Sequence, residues 1–443
     1  MFRSSRARLV GSTVCLIGTG IIAGATAAAE SKGLGFSLED VTLGTEIPEA
    51  RVSLGMRPVA NDLIFVAGIN LGYFEDVGIT ITPEPFGRKV MFDQAIPLMV
   101  NREVDVQTWY PPDGIAAMDS VNSIRFFGLA DLFQGFAILA SPDSGAKTVK
   151  EFMGVGMSFE DAMQATMGQL EGQAFVTAPN IDNRIFLDTV FELGGFDMTD
   201  STDLIITPDS NALQLASGGS VSFMSPDGAP FTAQLQGDGW LPLVTPVDIL
   251  TNMPATPGSR AAALVGTPGI AADETWLREN PETALRFLSV MFRIIRDEKA
   301  DPEHVLGSML DYVNAFAGTS LDLAGLQLTI DALSPLSDFE FQQNYCTLPD
   351  SSLNYRLAFD AAVEFNKDKG ILRKDSYDAD DLIWACDAYA DLVEMKAASV
   401  ELMAGITPDS LDADDSVLFA EAEAHFENFN YLDSYRFLMA ITE

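Results

Sequence analysis

From Val52 onward, short apolar runs alternate with stretches of helical periodicity. The runs VSLGM (52–56), ITITPEP (79–85), VDVQTW (104–109), IRFFGLA (124–130) and GFAILAS (135–141) are separated by helix-like segments, as expected of βαβ units. Residues 142–172 break this rhythm with Pro142, Gly145 and a helical stretch, MSFEDAMQATMGQLEG. The alternation resumes at QAFVT (173–177), followed by a helix over 184–193, DLIIT (203–207), a helix over 211–217, VSFMS (221–225), a helix over 231–235 and LPLV (241–244). The pattern predicts an α/β fold of two lobes: 48–141 and a returning 246–330 in the first, 142–245 in the second.

A faint internal repeat supports two lobes. In each half an ITIT-like or LIIT-like strand, a helix and a third strand are followed by Pro-Asp-Gly, at Pro112-Asp113-Gly114 and at Pro226-Asp227-Gly228. Ligands of open α/β sheets gather beyond the carboxyl ends of strands, so these two loops are expected to face each other across a cleft. Past Pro246, AAALVGT is the expected returning strand. Asn280-Pro281-Glu282 opens a helix with a cap, a proline at its first position and an early acid. Leu285, Leu288, Phe292 and Ile295 fall on one face of it, which should pack on the first lobe. Residues 331–443 carry further amphipathic helices around 355–365, 381–403 and 417–438. This all-helical C-terminal extension is read either as added packing on the first lobe or as a dimer or partner surface.

Composition changes the picture at the amino terminus and at the surface. Arg3, Arg6 and Arg8 precede an apolar run from Leu9 to Ala23, and Ala25-Thr26-Ala27 or Ala27-Ala28-Ala29 offers a cleavage site. Residues 1–29 are therefore expected to be a secretory signal peptide, giving an exported, soluble, periplasmic protein. Cys15 lies inside this segment with Val14 before it, which does not suit a lipoprotein signal. Cleavage would remove three arginines and no acid, taking the formal charge from −38 to −41. Such a surface repels phosphate backbones and anionic lipid, so nucleic acid and membrane-surface partners are not expected. The acidity itself is read as a solubility device. The two remaining cysteines, Cys346 and Cys386, suit either a disulfide or two buried thiols.

Several polar and aromatic positions could carry a binding site, and each has a plainer role open to it. Asn61 and Asp62 follow the first strand, where either could touch a ligand or cap a helix. Asp113 and Asp227 could accept from a ligand amine or hydroxyl, or cap the helices after them. Trp109, Tyr110 and Phe231 could wall a cleft, since aromatic faces suit planar or cationic ligands, with about one of the three expected to touch solute. The Asn180–Arg184 turn opens a helix whose free N–H groups favour an anion; Asn183 and Arg184 are its better contacts because Asp182 would oppose negative charge. Asp131 and Gln134, near the expected hinge, are weaker candidates. His304 and His425 are the only histidines and fall on late helices. With no metal-ligand spacing, phosphate loop or nucleophile elbow in the chain, no enzyme, metal or cofactor is expected.

The residues Ala67, Gly72, Tyr73, Phe74, Gly78, Ile79 and Ile81 resemble the run joining the first helix to the second strand in periplasmic solute-binding proteins of the sulfonate, taurine, nitrate and thiamine-pyrimidine group. LEGQAFVTAPNIDNRIFLDTVFELGGFD (170–197) resembles a second segment of that group through Gly172, Asn183, Leu187, Gly194 and Gly195. It departs at Gln173, where the group has lysine, and at Asn180-Ile181, where it has a Gly-Ser turn. The resemblance implies the type II periplasmic-binding-protein fold, with crossings near Ser141 and Pro246. It also implies a monomer that captures a small polar solute by hinge closure and hands it to the permease of an ABC importer. In the sulfonate binders the turn matching Asn180–Arg184 meets the solute's acid group. The thiamine-pyrimidine synthases of this fold use a histidine and a cysteine-rich motif that this chain lacks at the matching places. A ligand-sensing or interaction subunit on the same fold is the alternative. The carboxylates suggest a donor-rich or cationic solute and the 180–184 turn an acidic one; a zwitterion would satisfy both.

Overall fold

The structure, a computed structural model, describes residues 33–442 apart from 60, 92–93, 180, 349–350 and the side chains of 181–182. The expected signal peptide at 1–29 lies outside the described residues. Among the described residues, eleven strands form two sheets. In chain order they are β1 (Ala50–Met56), β2 (Ile79–Thr82), β3 (Arg88–Lys89), β4 (Val106–Trp109), β5 (Ile124–Leu129), β6 (Ile138–Ala140), β7 (Ala174–Thr177), β8 (Asp203–Ile206), β9 (Phe223–Ser225), β10 (Leu241–Val244) and β11 (Gly269–Asp273). The first sheet has the order β2-β1-β4-β11-β5, with β3 also on β1; the second runs β10-β6-β9-β7-β8. Central strands are parallel, as right-handed βαβ crossovers require. β11 runs antiparallel to β4 and β5, and β6 antiparallel to β9 and β10.

The apolar runs became strands because they are buried. Val52, Leu54 and Met56 of β1 and Ile270, Ala271 and Ala272 of β11 are fully enclosed, consistent with sheets covered by helices on both faces. Gly72 and Gly78 have φ of 78° and 68°, which a side-chain-bearing residue adopts only at a cost. They turn the chain from the helix Ile64–Asn70 into β2. The helix Pro281–Ala300 buries Leu285, Leu288, Phe292 and Ile295 in the same apolar cluster as β1 and its helix.

Two expectations about connectivity are corrected. GFAILAS belongs to the second sheet, since β6 pairs with β9 and β10, so the chain leaves the first sheet after Leu129 and not near Ser141. AAALVGT is not the returning strand: residues 260–264 form a short 3-10 helix and the strand is GIAAD, β11. Three segments run side by side between the sheets. Phe133 pairs with Gly266 across the two crossings, and Leu132 and Gln134 donate backbone bonds to Pro335 and Leu333.

The C-terminal helices dock on the first sheet. Ile383 bridges to Phe126 of β5, and the backbone N–H groups of Phe126 and Trp384 donate to Leu382 and Phe126. A disulfide joins Cys346 to Cys386. The helical run expected over 417–438 is two helices, Ala413–Glu427 and Tyr431–Thr442, broken where Phe429 takes a left-handed φ of 63°. No helix among the described residues is long and apolar enough to cross a membrane.

Candidate functional site

The carboxyl ends of β1, β4 and β9 and the start of β11 converge on a cleft of about 280 Å³ of empty space, part of it open to solvent. From the first sheet, Arg57, Val59 and Asn61 follow β1, Tyr110 follows β4 and Pro268 precedes β11; Asp227 follows β9 on the opposing sheet. Phe133 and Phe136, in the first crossing, close the end of the cleft. Their rings meet edge to face at 4.7 Å, and Tyr110 lies 6.1 Å from Phe133. Of the two aspartates of the Pro-Asp-Gly repeat, Asp227 lines this cleft and Asp113 stands behind it. Asp113 lies 3.9 Å from the Arg57 guanidinium, and Asp227 lines the far wall. A Cβ on Gly228 would fall 3.1 Å from Val59 Cγ1, so the two walls approach closely there.

A buried charge network underlies the first wall. Arg57 Nε and Nη2 donate to the two Asp62 oxygens at 2.5 and 3.2 Å, and its backbone N–H donates to Thr108 Oγ1 of β4. This paired geometry is what makes a buried guanidinium tolerable. Asn61 Nδ2 donates to Asp131 Oδ2 at 3.3 Å and to Asp62 Oδ1 at 3.4 Å. Ser334 Oγ donates to the same Asp131 oxygen. Asn61 Oδ1 has no partner among the described residues.

Burial pushes the Asp131 carboxyl well above the ordinary carboxylate range. The charge of Asp62 adds to this, while bonds from Ser334 and Asn61 and the charge of Arg57 work the other way. Behind the second wall, Asp209 accepts from the backbone N–H groups of Asp227 and Gly228. Its carboxyl is pushed up, by burial first and then by Asp227. Both acids are therefore held toward the neutral form beside groups that carry negative charge.

The sequence candidates divide clearly. Asn61, Tyr110 and Asp227 line the cleft, while Asp62 and Asp113 stand behind it on Arg57. None of the four acid or amide residues is a helix cap: Leu63, Tyr110 and Gly228 occupy the N-cap positions of the helices concerned. Trp109 does not reach the cleft. It is 1% exposed and stacked on Phe126 at 5.3 Å, because its place within β4 turns it into the core under the C-terminal helices. Phe231 likewise packs in the second sheet's core. Asn183 is structural: its amide donates to Thr177 Oγ1 and Ser225 O and accepts from Ser225 Oγ, fixing its helix to β7 and β9. Arg184 is a half-exposed helix residue paired with Asp188 four positions on. Side chains at 181 and 182 lie outside the described residues.

Sequence reasoning undervalued Asp131 and missed Arg57, Ser334, Phe133 and Phe136. A lone arginine directly after the first strand was a signal for Arg57. Ser334 had none, being joined to the site only by the fold.

No protein-family model matches the sequence, and no curated protein matches it. Solved structures do match in fold. The periplasmic aliphatic sulphonate-binding protein SsuA of Escherichia coli superimposes with a TM-score of 0.51 at 12% identity, over 74% of this chain and 95% of that one. The alkanesulfonate-binding SsuA of Xanthomonas axonopodis pv. citri, bound to MOPS, gives 0.51 at 14% identity over 76% and 99%. A putative sulfonate-binding SsuA from Methylobacillus flagellatus gives 0.50 at 11% over 78% and 96%. The chain thus has the type II periplasmic-binding-protein fold, with an added helical region at its carboxyl end.

Proposed function

We propose that this protein is the solute-binding component of an ABC-type importer, working in the periplasm as a monomer and not as an enzyme. The observation that carries the reading is the cleft itself: a small cavity with polar and aromatic walls, lined from two sheets and bordered by the connecting segments. Facing loops after β1, β4 and β9 would grip a small polar organic solute while the three-stranded connection bends. Solute binding to the closed arrangement more tightly than to the open one would supply the driving force. The closed form would then engage a membrane permease. Likeness in fold to sulfonate-binding proteins supports capture as the role. Small-angle scattering with a panel of amines, pyrimidines, sulfonates and inorganic anions tests it: at least one class should reduce the radius of gyration. A panel-wide lack of response, together with no molecule retained on purification, would overturn it.

The alternative is a ligand-sensing or interaction subunit using the same cleft. Val393, Val400 and Val417 on the C-terminal helices are 40–61% exposed, which favours a partner surface there. Stimulation of ATP hydrolysis by a cognate reconstituted permease would decide for import.

A further inference from the structure

The helix Tyr355–Asp368 of the C-terminal region has two apolar faces, and they serve different halves of the molecule. Tyr355, Phe359 and Ala362 recur at helical spacing and are buried with Trp109, Ile115 and Phe126 in the first sheet's core. Leu357, Ala358 and Ala361 pack instead on Ala255, Ala262 and Val265. Ile249, Ala261 and Leu264, from the same stretch of chain, belong to the second sheet's core, so this second face is seated on the second lobe. Charged contacts extend the seat at the end of the helix. Lys369 Nζ lies 2.6 Å from Asp188 of the helix Ile181–Leu193, a largely enclosed carboxylate that Arg184 also pairs. Arg260 joins Glu192 of that helix to Asp368. An isolated surface pair contributes little, but these act together with an apolar seat across a joint between two lobes. In this arrangement the cleft walls stand close, with Gly228 against Val59. Any swing of the second lobe has to slide or lift residues 255–265 from a helix that the first sheet holds in place.

Beyond solute capture, and whichever solute is taken, we infer that the helix Tyr355–Asp368 is a strap between the lobes, holding them in the closed arrangement and released when the cleft opens. It thereby sets the balance of open and closed forms in the protein alone. Small-angle X-ray scattering of the full exported protein, freed of any retained molecule as checked by native mass spectrometry, tests this. Lys369→Glu sets a second acid against Asp188, and Ala361→Glu sets a charge into the apolar seat. Each should raise the radius of gyration and the maximum dimension above those of the wild type, with circular dichroism unchanged. Asp360→Lys, exposed on the same helix and outside both clusters, should leave both dimensions as they are. If Ala361→Glu fails to fold, Lys369→Glu decides alone, since Lys369 is exposed and follows the helix. A brace that only stabilises would lower the unfolding temperature with the scattering unchanged, so folded variants that scatter like the wild type overturn the strap. Equal expansion by Asp360→Lys overturns it too. Solute capture stands under either result, because no arm contains solute.

Discussion

Asp131 is a carboxyl group enclosed in the connection between the two sheets, touching Asn61 and Ser334 and facing the charges of Asp62 and Arg57. Its raised pKa means that the folded protein binds more protons there than the unfolded chain above the unfolded value of about 3.9. Stability from this group is therefore full at low pH and is lost as pH rises from about 4 toward the folded pKa. Asp131→Asn should match the wild type near pH 4 and exceed it at neutral pH. The gap should grow by up to about 1.4 kcal/mol per pH unit, as read by urea unfolding at a series of pH values. A constant or shrinking gap would contradict a neutral native carboxyl. Gly266 makes a second residue-level prediction. A Cβ there would fall 1.9 Å from the Tyr110 hydroxyl oxygen, so Gly266→Ala must displace the ring that lines the cleft. We expect solute affinity to drop at least about tenfold with the secondary structure retained, measured by titration of the retained solute.

Elements settle where these residues stand. β1, β4 and β9 end in the loops that supply Arg57, Asn61, Tyr110 and Asp227, and the strands were legible as apolar runs because β4 and β9 are buried throughout and β1 over its last three residues. Loop roles were less legible. Asn61, Asp62, Asp113 and Asp227 are good capping residues, and only the start of each helix, one to three positions from the expected cap, shows that they do not cap it. The aromatic positions show the same limit: Trp109 and Tyr110 are neighbours, and alternation along an extended segment sends one into the core and the other to the cleft. At this scale the disulfide Cys346–Cys386, closing a span of 40 residues, ties the start of the C-terminal region to its longest helix. Replacing both cysteines by serine should cost about 3–4 kcal/mol on the loop-entropy argument. Thermal unfolding with and without reductant checks this; an unchanged transition would show the crosslink to be dispensable.

Across the whole molecule, the C-terminal helices hold together segments distant in sequence. Arg436, 1% exposed, donates to Asp433 and Glu282 at 2.8 Å each and to the Thr42 carbonyl. Glu282 accepts in turn from the Thr42 backbone N–H. Arg436→Met would leave Asp433 buried without its cation, which typically costs about 3–5 kcal/mol. The expected result is a lower unfolding temperature with solute affinity intact below it, since the cleft lies elsewhere. Calorimetric unfolding with a parallel binding titration tests both halves. A loss of affinity at a temperature where the variant remains folded would show that the extension reaches the cleft energetically.

The periodicity of the chain by itself determined the α/β class, most strands, the glycine-bounded turn at 72–78, the helix that opens at Pro281 and the placing of loops after β1, β4 and β9 at the cleft. Those features are fixed by local pattern and by the rule that ligand loops follow strand ends. Tertiary structure alone decided which of the candidates face the cleft, where the chain crosses between sheets, and that Ser334 and Asp131 meet. Each of these depends on register and on contacts between residues far apart in sequence, so a single residue's type could not report them. An arginine before a turn looks the same from sequence whether solvent or two carboxylates surround it; burial made Arg57 a partner of Asp62.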